Sequence, residues 1–289
     1  ETDLGLETFA GYEVQEELGR GGMAMVHRAE LVGPGGATKE VALKRILPQY
    51  AQHEDFVRMF LDEARLTATI QHANVAQVYD IGQCDDGLFF TMEFVHGADL
   101  RTVLHALARR GQAMPLADAL TIAIGAAAGL HAAHERCAAD GAPLGIIHRE
   151  VTPSNVLISF EGCVKLIDFG IAKAERRTRE WAEPRPPEPR AGTPKGKTRY
   201  MSPEQCRGEP LDRRSDVFSL GIVLFEASTG TRLFRTDNEF AALRQIVDED
   251  APSPASRRPG YPPGLEAIVM RALRRDRAAL VTALDERGF

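Results

Sequence analysis

The sequence predicts an α+β fold of two lobes: a small one built on an antiparallel sheet with one main helix, then a larger, mostly helical one. Three observations point there. Residues 12–47 alternate apolar and polar side chains between glycine-rich turns, the period of half-buried strands. From about residue 97 onward the apolar spacing is helical. The chain has 289 residues, 44% of them hydrophobic, which suffices for one large domain or two fused lobes with a sizeable core.

The elements follow in order. YEVQEEL, MVHRAEL and EVALKRIL read as three antiparallel strands separated by GRGG and GPGG turns. Residues 54–70 read as a helix, and VAQVYDIG and LFFTMEFV as two more strands. ADLRTVLHALARR and LADALTIAIGAAAGLHAAHERC have the length and alanine content of helices. Short strands return at NVLIS and VKLID. Residues 174–199 are rich in Pro, Arg and Glu, can build no core, and are expected to form a mobile surface loop. SDVFSLGIVLFEAS is apolar on every face, the mark of a fully buried helix, with Ser215 or Asp216 placed to cap its start. The lobes are expected at 1–95 and 96–289, and a small-molecule site in the cleft between them.

Composition narrows the function. A net charge of −6 argues against a nucleic-acid partner. No unbroken run of 18 apolar residues occurs, so no membrane-spanning segment is expected in this stretch. The acidic start ETDLGLETF lacks the basic region of a signal peptide. Cys84, Cys137, Cys163 and Cys206 are scattered, which predicts buried free thiols in a reducing cytoplasm.

Several short stretches carry chemistry. In LGRGGMAMV, residues 18–26, the glycines at 19, 21 and 22 let backbone N–H groups approach phosphates, although a plain hairpin fits equally. On the strand that follows, Ala42 and Lys44 share a face, which suits a flat adenine ring with phosphates beyond it, or an ordinary exposed lysine. In the helix at 54–70, Phe56, Phe60, Glu63, Thr67 and Ile70 form one stripe. A carboxylate inside it is costly unless paired, with Lys44 the natural partner, or else it lies solvated at the stripe's edge.

GRGGMAMV, VALK, Glu63, HREVTPSN at 148–155, DFG at 168–170, SPE at 202–204 and SDVFSLG at 215–221 stand in protein-kinase order. The chain thus resembles the bacterial eukaryotic-like serine/threonine protein kinases over nearly its whole length, with one kinase domain at about 12–280. The resemblance implies a bilobal protein-kinase fold that binds ATP and Mg²⁺ and phosphorylates Ser/Thr on proteins, itself included. It implies that Gly19, Gly21 and Gly22, flanked by Leu18, Arg20 and Val26, cover the nucleotide. It places Ala42 and Leu157 along the nucleotide site and gives Lys44 the α and β phosphates, with Glu63 as ion-pair partner. Met92 would be the gatekeeper and Glu93 to Val95 the hinge that bonds adenine. Asn155 and Asp168 would bind Mg²⁺, and Asp216 would anchor the catalytic loop. It also implies the cytosolic part of a longer, membrane-anchored protein, and leaves the oligomeric state open.

Four positions depart from that pattern. Ala24 replaces the third glycine. Glu150 stands where a catalytic Asp belongs; the extra C–C bond is about 1.5 Å. Misplacement on that scale costs about 100-fold in rate, or roughly 2.7 kcal/mol. Thr152 stands in place of the catalytic-loop lysine, and Lys197 in place of the threonine before SPE, as though exchanged. Lys197 is therefore expected either to supply the missing ammonium near Glu150 or to be one more solvated charge. Leu280 replaces the arginine that pairs with the SPE glutamate, Glu204, leaving Arg274, Arg275 or Arg277 as substitutes. These departures keep a second class open, a weak or inactive pseudokinase serving as a nucleotide-binding scaffold. Thr178, Thr193 and Thr198 are candidate phosphorylation sites for which Arg149 is the expected partner. His131, His134 and Glu135 are read as a solvated helix face rather than a metal site.

Overall fold

The computed structural model describes residues 7–170, 197–234, 236 and 238–277. They fall into two compact units, one ending at His96, the other comprising Gly97–Gly170 and the described residues from 197 onward.

The first unit is a six-stranded antiparallel sheet in the order β1-β2-β3-β4-β6-β5. The strands are β1 (Thr8–Phe9), β2 (Tyr12–Arg20), β3 (Ala24–Val32), β4 (Thr38–Ile46), β5 (Val78–Cys84) and β6 (Gly87–Glu93). Directly opposed residues share a face, so Val26, Lys44 and Phe90 form one rank and Ala42, Met92 and Val78 another. Helix α1 (Glu54–Ala68) covers that face, packing Phe60 and Ala64 among Ala24, Ala42, Ile46, Val78, Phe90 and Met92. Phe9, Tyr12, Val14, Ala29, Val41, Leu43 and Phe89 form the core on the other face. A one-residue slip of β4 would exchange Lys44 for Leu43, so burial on both faces fixes the register. Ala24 is a buried strand residue opposite Ile46, a position that calls for no glycine.

The second unit is mainly helical. Its helices are α2 (Leu100–Arg109), α3 (Leu116–His134), α4 (Pro203–Arg207), α5 (Arg214–Thr229), α6 (Glu239–Asp248) and α7 (Pro263–Ala272). A small sheet of β7 (Gly97–Asp99), β8 (Val156–Ser159) and β9 (Val164–Leu166) accompanies them. Asp99 caps α2, accepting from the Thr102 N–H at 2.7 Å. The core gathers Ile122, Ala126 and Leu130 of α3, Phe218, Ile222 and Phe225 of α5, Leu166 of β9 and Val269 of α7. Gly221 lies where a Cβ would press on Ala272 and Leu273 at 3.0–3.1 Å, so glycine lets α5 and α7 approach.

Some sequence expectations change. Neither Ser215 nor Asp216 caps α5, which starts after Arg213 without a side-chain cap, because both side chains are bonded elsewhere in the fold. The Ser215 hydroxyl donates to Glu204 at 2.5 Å, and none of Arg274, Arg275 and Arg277 pairs with Glu204 among the described residues. Leu280, Thr178 and Thr193 lie outside those residues. At the end of the expected 174–199 loop, residues 197–200 form a 3₁₀ turn. The four cysteines are free but not buried; Cys137 and Cys163 are exposed. Helix α3 is long and apolar enough, by length and composition alone, to cross a membrane, and here it contributes to the core of the second unit.

Gly97 meets β8 so closely that an added Cβ would collide with the Ile158 carbonyl. Gly97→Ala is expected to lower unfolding free energy by about 1–3 kcal/mol, measurable by urea denaturation.

Candidate active site

In the first unit, β4 and α1 bring Lys44 and Glu63 together. Lys44 Nζ lies 2.5 Å from Glu63 Oε1, and both side chains are buried. The ammonium also lies 5.4 Å from the centre of the Phe90 ring. Leu18, Gly19, Arg20, Gly21 and Gly22 are all exposed around the β2–β3 turn, Arg20 paired with Glu17 at 3.1 Å, while Val26 is half-buried. Neither Gly19 nor Gly21 has a positive φ, and a Cβ on either would meet nothing closer than 3.5 Å. The protein's own packing therefore does not require glycine there. Met92 is buried opposite Ala42. The Glu93 N–H donates to the Gln77 carbonyl at 2.8 Å, whereas the Val95 N–H has no hydrogen-bond partner among the described residues.

In the second unit, the loop from His148 to Asn155 is held from below by Asp216, a fully buried residue of α5. Its carboxylate accepts from the His148 N–H at 2.8 Å, the Arg149 N–H at 2.7 Å and the His134 ring Nε2–H at 2.7 Å. Arg149 has a left-handed φ of 66°, which turns the chain so that two successive N–H groups face one carboxylate. The Gln205 amide adds a bond to the Arg149 carbonyl at 2.8 Å. His148 accepts from the Glu150 N–H at Nδ1 (3.3 Å), and its Nε2–H donates to the Ile167 carbonyl at 3.1 Å. This pattern needs a neutral ring, and burial pushes the His148 pKa below the ordinary histidine range.

The Asn155 Nδ2 donates to the Glu150 carbonyl at 2.8 Å, leaving the amide oxygen to face elsewhere. Leu157 is half-buried on β8. Asp168 takes a left-handed φ of 57°, Phe169 stacks on His148 with ring centres 4.4 Å apart, and the Gly170 N–H bonds the His148 carbonyl at 2.8 Å. A side chain at 170 would crowd that carbonyl and the Glu150 Cβ at 3.1–3.2 Å. Lys197 Nζ lies 2.9 Å from Glu150 Oε1. The Thr152 hydroxyl is buried without a partner among the described residues, as is that of Thr198, a residue that is otherwise half-buried.

Two contributors escaped the sequence. The His134 side chain is only 7% exposed and bonds Asp216 instead of lying on a solvated face, while Glu135 beside it pairs with Arg213 at 2.7 Å. The clue was spacing: Ala126, Leu130 and His134 continue one buried stripe four residues apart. Gln205 belongs to a capping box with Ser202, legible as Ser-x-x-Gln at the start of α4.

A buried lysine–glutamate pair in the first unit and a carboxylate-anchored loop beside Asp-Phe-Gly in the second are features of the protein-kinase class. A family model for the protein kinase domain matches residues 12–277, and the chain belongs to the protein kinase family. It is 40% identical over 268 residues to the tyrosine-protein kinase MasK of Myxococcus xanthus, covering 93% of this chain and 40% of that protein. It is 35% identical over 266 residues to the serine/threonine-protein kinase PknB of Mycobacterium leprae, covering 91% of this chain and 39% of that one. The chain thus spans about two fifths of the length of these curated relatives. Among solved structures, the PknI kinase domain of Mycobacterium tuberculosis matches with a TM-score of 0.66 at 26% identity, over 98% of both chains.

Asp216→Ala would leave three buried donors without an acceptor. It is expected to destabilise the protein by about 3–5 kcal/mol, read by chemical denaturation. His148 gives a pH signature. Below about pH 6.5 the unfolded chain gains a proton that the folded ring refuses, so stability falls as pH falls. Between about pH 7.5 and 5.5, wild type should lose roughly 1 kcal/mol more than His148→Gln, measured from paired urea titrations.

Proposed function

We propose that this domain transfers the γ-phosphoryl group of ATP to serine and threonine hydroxyls of proteins, itself included. The observation that carries this is the buried Lys44–Glu63 pair. Buried ion pairs are often no more stabilising than apolar side chains of similar volume, so a retained one suits a role in ligand binding. Its ammonium suits the α and β phosphates. Glycines at 19 and 21 that packing does not demand fit a loop approached from outside by phosphate oxygens. The Val95 N–H, without a hydrogen-bond partner among the described residues, fits an adenine acceptor, and Ala42 and Met92 offer apolar surface to the ring.

Asn155 and Asp168 fit Mg²⁺. The Asn155 amide nitrogen is already bonded, which leaves oxygen as its donor, and no group of three or more His, Cys, Asp or Glu converges to ligate a metal among the described residues. Two oxygen donors completed by phosphates and water suit Mg²⁺ better than an all-protein cage does. When bound, the ion would neutralise charge on the triphosphate. In the transfer, the substrate hydroxyl oxygen bonds to the γ-phosphorus as the bond from that phosphorus to the bridging oxygen breaks. ADP leaves with the electron pair. Glu150 orients the hydroxyl and accepts its proton. The longer Glu150 side chain supports a rate below that of an Asp enzyme.

The choice of hydroxyl rests on the PknB likeness, whereas the likeness to MasK favours tyrosine as a second reading. The domain would sit in the cytoplasm, as part of a longer, membrane-anchored protein.

Transfer from γ-labelled ATP, followed by phosphoamino-acid analysis, tests the proposal. Phosphoserine and phosphothreonine are expected, abolished in Asp168→Ala and raised in Glu150→Asp by up to about 100-fold. Phosphotyrosine alone would move the assignment to tyrosine. No transfer in any of the three proteins, with Mg-ATP binding retained, would mark a nucleotide-binding scaffold.

A further inference from the structure

We infer that Lys197 is a catalytic residue whose ammonium binds the transferring phosphoryl group, taking over a task that the loop after Glu150 cannot perform because position 152 carries no cation. This rests on the kinase reading above and deepens it. Lys197 Nζ lies 2.9 Å from Glu150 Oε1, with the lysine side chain 29% exposed and the glutamate 14%. An ammonium has three N–H donors, and Glu150 is its one partner among the described residues. Two donors remain to point away from the carboxylate. Glu150 must stand within hydrogen-bond reach of the attacking hydroxyl, and that oxygen must lie in contact with the γ-phosphorus. A cation bonded to the same carboxylate is therefore one or two contacts from the group in flight.

Position 152 contributes nothing comparable. Thr152 is 3% exposed, and its hydroxyl has no partner among the described residues. Lys197 also stands on a braced turn. The Tyr200 carbonyl accepts from the Ser219 hydroxyl at 2.7 Å, the Tyr200 hydroxyl donates to Glu226 at 2.7 Å, and Arg199 bonds the Thr236 carbonyl. Ser219 and Glu226 belong to α5, the helix that supplies Asp216, so cation and carboxylate are referred to one rigid element. Such placement suits stabilisation of charge developing on the phosphoryl oxygens. The lysine stays protonated throughout; it neither gives up nor takes the hydroxyl proton, which passes to Glu150.

Steady-state transfer from γ-labelled ATP to a serine/threonine peptide tests this with wild type, Lys44→Met, Lys197→Met, Lys197→Arg, Lys197→Thr and the exchange variant Thr152→Lys with Lys197→Thr. Mg-ATP-induced thermal shift serves as the folding control. Lys197→Met should lower kcat by about 100-fold with KM for ATP changed less than about threefold. Lys197→Arg should retain more activity than Lys197→Met, and the exchange variant should exceed Lys197→Thr by at least about tenfold. If Lys197→Met stays within about twofold of wild type while Lys44→Met is dead, the inference fails and the kinase reading stands. Equal losses in Lys197→Met and Lys197→Arg, with no recovery on exchange, would also overturn it. Should the exchange variant not fold, the contrast between Arg and Met decides alone. A wild type no faster than Lys44→Met would overturn both readings.

Discussion

A single buried carboxylate organises the second unit. Asp216 sits on a helix that is buried along most of its length, with two backbone N–H groups and one imidazole aimed at its oxygens. An ionised carboxylate in such surroundings is tolerable only when its lone pairs are satisfied. Its three bonds offset the strain of Arg149, whose left-handed backbone would otherwise cost on the order of 1–3 kcal/mol. With His148 and Arg149 fixed, the direction of Glu150 is fixed. The Glu150 carbonyl then holds the Asn155 amide, and the His148 ring holds Phe169. Removing that carboxylate would release every group in the chain of contacts.

The first unit obeys a comparable constraint, carried by register. Lys44 meets Glu63 because β4 pairs with β3 and β6 so that its even-numbered residues face α1. Apolar contacts on both faces enforce that register at many positions at once. The ion pair itself is costly to bury and would not choose the register unaided. Placement of the cation is thus a consequence of the packing of Phe60, Phe90 and Val41, none of which carries charge.

The departures from the kinase pattern fall into two kinds. Ala24 is absorbed by packing, as an ordinary strand residue. Glu150, Thr152 and Lys197 change together the charge and length of groups at one place, and the structure brings two of the three into direct contact. A longer carboxylate bonded to a cation from the turn before α4 differs chemically from a shorter one served by its own loop. The first arrangement ties charge placement to the bracing of that turn on α5, and the second would not.

Sequence alone determined a good deal. Period-2 patterning set the strands of the first unit, helical spacing set α1, α2 and α3, and an apolar run on every face announced α5. These patterns are legible because burial is read off locally, residue by residue, along one element. The order of motifs nominates Lys44, Glu63, Asn155 and Asp168 as candidates, since their spacing is written in the chain, and the structure pairs the first two. Only the tertiary structure decided that Asp216 spends its oxygens on a loop and not on a helix cap, that His134 bonds Asp216, and that Ser215 meets Glu204. Side chains such as these choose between a local partner and a distant one, and that choice depends on which segments the fold brings within about 3 Å of each other. No periodicity within a single element encodes that distance.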